Sequence, residues 1–272
     1  MDRTSASTNS DSFTREDADF LCAQLRDLSR VHRALRKCWA RLLYDLLAIA
    51  SKVRSAVLLD YIGGMTRDTL ERIVDQINMK QQRWCVMFHQ DAWFVLNPSE
   101  LCKNLVADMD KALVNVTTGG GCSLMRGKES KDFSGLQAQL LCFVERAFSD
   151  GACFADFSTP AGNLSMVTLT GLLLDYPIIY YLREDKLASA RDTLSNCILE
   201  LVNIELDSSI AQSQCQLLCF SVPKVVTSTE PIANNLIQSF VSKLKSSASK
   251  QQSLWGDLRM TIFQAPGRSI AL

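Results

Sequence analysis

The chain has 272 residues, 47% of them apolar and 21% charged, and its 29 Lys+Arg balance its 29 Asp+Glu. A net charge of zero lacks the cation surplus that phosphate neutralisation needs, so no nucleic-acid partner is expected. A chain of this length buries roughly 70–75% of the surface its unfolded form exposes, so it needs no disulfide framework or cofactor to hold a core, and none is expected.

Residues 1–13 are polar and rich in Ser and Thr, which reads as a disordered tail without a secretion signal. The remainder, 14–265, reads as a single α/β domain. Ten cysteines are scattered through apolar runs, as at Cys85, Cys142 and Cys219. Buried reduced thiols fit that pattern better than disulfides do, which points to a cytoplasmic protein, with the nucleus left open.

An N-terminal helical pair comes first. Phe20, Leu21, Leu25 and Leu28 give residues 15–28 an amphipathic helical pattern. From Val31 onward Leu35, Trp39, Leu42, Leu43, Leu46 and Leu47 recur at the same spacing. The opposite face carries Arg30, Arg33, Arg36, Lys37 and Arg41, read here as solvated surface charge.

Residues 55–61 then form a short apolar run ending near Gly63 and Gly64, the pattern of a buried strand. Thr66 follows as the N-cap of a helix to about 79. Residues 83–88 and 92–96 are aromatic-rich strands around His89-Gln90-Asp91, which predicts a hairpin. Asn97, Pro98 and Glu100 make a helix-start signal, and that helix is expected to run to about 114. Residues 117–134, with three consecutive glycines and a charged run, read as a flexible internal loop.

Beyond it, 136–148 is helical and 153–157 extended. Residues 164–182 are mostly apolar and long enough to test as a membrane span, but Asp175 and Pro177 interrupt them. A buried helix over 165–174 and a strand over 177–182 fit better, and no membrane association is expected. Strands over 197–206 and 214–222, a helix over 230–246 and a strand over 259–263 complete the chain. Early strands alternating with helices argue for a mixed, partly parallel sheet flanked by helices, with antiparallel strands later.

Chemical motifs are few. Gly121 to Lys128 looks like a phosphate-binding loop, but five residues separate its glycines where four are required, and Glu129 stands where Ser or Thr should hold magnesium. There are only two histidines, and no spacing suits a zinc site, so no metal is expected. The best candidate is the turn from Asp60 to Thr66. In open α/β sheets ligands bind beyond the carboxyl ends of strands, where helix N-termini offer free N–H groups. Asp60 there can serve as base, nucleophile or metal ligand. Gly63 and Gly64 permit close backbone approach, and Thr66 begins the helix. Asp156 is a second acidic candidate if parallel strands bring it beside Asp60. The simpler alternative is that Asp60 and Asp156 only cap turns.

The run Leu174-Asp175-Tyr176-Pro177-Ile178, with Asn196-Cys197-Ile198-Leu199-Glu200-Leu201 and Phe220-Ser221-Val222-Pro223, resembles the uncharacterised protein family named for chromosome 1 open reading frame 74. The resemblance spans about 20–263. In that family a glycine is usual before the Tyr-Pro pair, where this chain has Asp175. The resemblance implies no activity and no site residues. Two expectations follow: a non-catalytic protein that binds a protein partner or small ligand, or an enzyme acting on a phosphorylated or metal-bound small molecule at the 60–66 turn.

Overall fold

The computed structural model describes residues 13–63, 65–77, 84–107, 111–117, 121–149, 154–157, 164–210 and 213–267. The expected tail over 1–13 lies outside these residues, apart from Phe13, which is buried.

Helix α1 (Arg15–Val31) starts at Thr14. Its Oγ1 accepts the Asp17 N–H at 3.2 Å, while the Asp17 carboxylate accepts the Thr14 N–H at 2.9 Å. Each side chain thus satisfies a backbone donor left free at the helix start. The helical run read from Val31 is broken: His32 is extended, a tight 3-10 turn spans Arg33–Lys37, and α2 (Trp39–Ala50) follows. The break keeps Leu35 buried while re-aiming α2, whose residues from Leu42 to Ala50 are all buried, Asp45 included.

Strand β1 (Ala56–Leu58) is shorter than the sequence run, although hydrogen bonds from Asn97 N–H to Ser55 O and from Leu59 N–H to Trp93 O extend its pairing. Helix α3 (Arg67–Ile77) and the hairpin β2 (Cys85–His89) and β3 (Ala92–Leu96) follow, close to expectation. In α4 (Pro98–Ala107) the Asn97 side chain accepts the Glu100 N–H at 3.1 Å, the cap the sequence signalled.

The expected continuation of that helix to 114 is corrected. Residues Ala112–Thr117 form β4, and Gly121–Arg126 form β5. The expected flexible loop over 117–134 is therefore mostly ordered structure: β5, a 3-10 turn at Gly127–Glu129, and the start of α5 (Lys131–Ser149). Strand pairing explains both departures. β4 is hydrogen-bonded on each side, antiparallel to β5 and parallel to β7 (Ile178–Tyr181), a central position that its β-branched Val114, Val116 and Thr117 suit. Gly127 is required by packing, because a Cβ there would lie 3.0 Å from the Phe133 ring and 3.2 Å from Lys111 O.

After β6 (Phe154–Asp156) comes α6 (Met166–Leu173), so the apolar stretch over 164–182 resolves into a buried helix and strand β7. Among the described residues no helix is long and apolar enough to cross a membrane. Helix α7 (Leu187–Ser195), which the sequence pattern did not announce, leads into β8 (Ile198–Ser208) and β9 (Ser213–Pro223). A short α8 (Lys224–Thr229), α9 (Pro231–Ser249) and β10 (Trp255–Pro266) end the described chain.

The strands form three sheets, ordered β1-β3-β2-β6, β5-β4-β7 and β10-β8-β9. The β2–β6 and β4–β7 pairs are parallel, and the third sheet is antiparallel. The fold is thus mixed, partly parallel α/β with helices at its N-terminus. Alternation divides the first sheet between two cores. Val57, Val86 and Val95 pack with α1, α2 and α3, whereas Ala56, Met87 and Phe94 pack with α4, α5 and α6.

Candidate functional site

Between α2, β1, β9 and the turn after α6 lies a cleft of about 590 Å³, within the range of ordinary small-molecule sites. Asp45 and Arg41 of α2, Arg54 of the α2–β1 connection, Asp60 and Tyr61 beyond β1, and Tyr176 line it. Lys37 lines it too, so three cations share the wall with two carboxylates.

Arg54 is 8% exposed. Its backbone N–H donates to Ala48 O, which fixes the chain as it leaves α2. Its Nη1 donates to Leu217 O at 2.9 Å, and Nη2 is buried without a partner. Burial pulls the Arg54 pKa below the ordinary arginine range, partly opposed by Tyr176 and Asp45 nearby. Among the described residues no carboxylate lies within ion-pair distance of this guanidinium. Burying a cation without a direct ion pair costs several kcal/mol, part of which Tyr176, Asp45 and Asp175 offset at longer range.

Asp45 is 1% exposed and sits one helical turn from Arg41. Its Oδ2 accepts from Arg41 Nε at 3.1 Å and from Tyr61 Oη at 2.7 Å, while Oδ1 is buried and unpartnered. Burial raises the Asp45 carboxyl above the ordinary carboxylate range, against the pull of Arg41 and Tyr61. Burial, followed by the Asp45 charge, pushes the Tyr61 phenol far above its usual value. Arg41, expected to be solvated, instead also donates to Gln216 O and lies over the Tyr61 ring. Tyr176 donates to Cys219 O at 3.2 Å and packs its ring against Phe220.

The predicted site is only partly assembled. Asp60 is exposed and lines the cleft. Gly63 is exposed and outside the cleft wall, and a Cβ built there meets nothing within 4 Å, so no close approach explains it. Gly64 lies outside the described residues. Thr66 caps α3, its Oγ1 accepting the Thr69 N–H at 3.3 Å. The strand argument also changes. β1 is the edge of its sheet and antiparallel to β3, so the turn after it is not the crevice of a parallel sheet.

Asp156 is exposed on β6, with two strands between it and β1. Both its oxygens accept from Arg67 Nη1 at 3.0 Å. It therefore anchors the start of α3 through an ion pair. Among the described residues no group of three or more His, Cys, Asp or Glu could hold a metal ion. His89 is buried with Nδ1 2.6 Å from Phe157 O, a structural contact.

Arg54, Asp45 and Tyr176 were missed by the sequence argument. A usable signal existed: Asp45 is the one carboxylate inside the apolar helix Trp39–Ala50, and Arg54 immediately precedes the buried run at β1. A charge inside a segment that must be buried is costly and marks a partner or a site.

The family model described as a domain of unknown function (DUF4504) matches residues 27–272, and the chain belongs to that family. No curated protein and no solved structure matches it.

Proposed function

With the chain in a family that carries no assigned activity, we propose that it is a non-catalytic protein binding a small anionic ligand, such as a carboxylate or phosphate, in the Arg54 cleft. The observation that carries this reading is the buried Arg54 guanidinium, which has a carbonyl partner, an unpartnered nitrogen and, among the described residues, no carboxylate within ion-pair distance. A ligand oxyanion supplies a direct charged partner, and arginine's planar fork suits either head group. Asp45 adds an acceptor beside it, favouring ligands with a neighbouring hydroxyl or amino donor. Of the two non-catalytic roles, protein partner and small ligand, a cleft of this size with charged walls favours the second.

Thermal-shift measurements against carboxylates, inorganic phosphate, sugar phosphates and nucleotides test the reading. A ligand at a hundred times its dissociation constant adds about 2.7 kcal/mol of stability. Arg54→Met should abolish that shift while leaving the unliganded protein as stable as wild type or more so, because an apolar isostere of a buried ion is often neutral or stabilising. A ligand response retained in Arg54→Met overturns the proposal.

A second reading, an enzyme acting on a phosphorylated small molecule at the 60–66 turn, draws on Asp60 lining the same cleft. It expects Asp60→Asn to abolish turnover of a sugar-phosphate panel while binding persists. The narrower likeness to the family named for chromosome 1 open reading frame 74 rests on the Tyr-Pro and Val-Pro motifs. A cytoplasmic location draws on buried cysteines such as Cys38 and Cys85.

A further inference from the structure

A second cavity of about 600 Å³ adjoins the Arg54 cleft. Leu58, Tyr176 and Cys219 line both. Beyond that shared wall the character changes. Val167, Ile178, Ile179, Leu187, Leu201 and Phe220 supply an apolar lining from α6, β7, α7, β8 and β9, and Arg191 and Glu184 stand among the residues around them. The cation and the apolar space are thus neighbours, with the Tyr176 ring between them held by Cys219 O and Phe220.

From this juxtaposition, and resting on the anion-binding reading above, we infer that the ligand is amphipathic: a carboxylate or phosphate head at Arg54 and an apolar body that passes Tyr176 into the β7–β9 cavity. A small polar anion fills the first space and leaves the second wall wet. An alkyl or aromatic body removes that apolar surface from water, a gain roughly proportional to the area covered. Specificity is then shared: Arg54 rejects cations and neutral heads, and the cavity length sets the size of the body.

The test is calorimetric titration of the full chain with butyrate, hexanoate, octanoate, octyl phosphate, octan-1-ol and octylammonium. Each added methylene from butyrate to octanoate should tighten binding about threefold to fourfold, with octyl phosphate binding and octylammonium failing to bind. Val167→Trp and Leu187→Trp, both at half-buried positions of the cavity wall, should flatten the chain-length dependence and leave butyrate affinity unchanged. Octanoate binding no tighter than butyrate, or octan-1-ol binding as tightly as octanoate, overturns the inference. In the first case butyrate binding that is lost in Arg54→Met leaves the anion-binding reading standing. Failure of every anion, inorganic phosphate and nucleotides included, removes both.

Discussion

Lys111 donates to Asp175 at 2.6 Å where both residues are buried, and Asp175 holds its backbone at φ 57° to do so. Lys243 of α9 meets the other carboxylate oxygen at 3.0 Å. The left-handed conformation ends α6, with the Tyr176 N–H returning to Gly171 O. The aspartate thus takes a helix-ending conformation in which glycine is the usual residue, and its carboxylate ties the turn to Lys111 and α9. Removing it leaves buried lysine charge without this partner. Asp175→Gly, which keeps the backbone, should lower stability by about 3 kcal/mol. Asp175→Ala should lose about 1 kcal/mol more from left-handed strain. Urea titration measures both, and an Ala variant more stable than the Gly variant contradicts the account.

Asp45 predicts a pH dependence. Burial holds its carboxyl above the ordinary range, so the folded protein keeps this proton to higher pH than the unfolded chain does. Its contribution to stability is therefore fullest below the unfolded pKa of about 4 and declines as pH rises through the folded value. Asp45→Asn, neutral throughout, should gain on wild type as pH climbs from about 4 toward neutrality. Thermal melts across that range decide it, and a variant-to-wild-type difference that stays flat rejects the role.

Thiol reactivity separates two cysteines. The Cys122 thiol on β5 is pushed up to about 12, by burial first and then by Cys197 beside it. At pH 8 it carries about a thousandfold less thiolate than a free cysteine. Cys142 is exposed on α5. Timed alkylation read by mass spectrometry should label Cys142 well before Cys122, and equal rates contradict the prediction.

Gly171 sets how closely α6 approaches β7. A Cβ there would lie 2.8 Å from Ile179 Cγ2. Gly171→Ala should cost about 1–3 kcal/mol through overpacking. Because Ile179→Ala removes the clashing methyl, the double variant should be more stable than the summed single losses imply. Strict additivity in denaturant titrations rules the contact out as the cause.

Local grammar was the part of this protein written along the chain. Helix α1 follows its apolar spacing, α4 starts where Asn97, Pro98 and Glu100 signal it, and the hairpin around Gln90 sits within a few residues of its expected bounds. Asp60 was legible as a candidate and does reach the cleft. Gly63 and Thr66 were legible only as turn and cap. β4 and β5 were not: Val114, Val116 and Thr117 carried a strand signal, but the helix start at Pro98 masked it, and the pairing of β4 with β5 and β7 is set by partners the local text does not name.

By itself, then, the amino-acid order determined the kinds of element, the mixed α/β class and the buried helix and strand over 164–182, since periodicity, caps and proline act over a few residues. Only the tertiary structure decided that Lys37, Arg41, Asp45, Arg54, Asp60, Tyr176 and Cys219 share one cleft. Convergence of that kind depends on packing contacts between segments more than a hundred residues apart, and it leaves a buried arginine nitrogen unpartnered where no local pattern announces one.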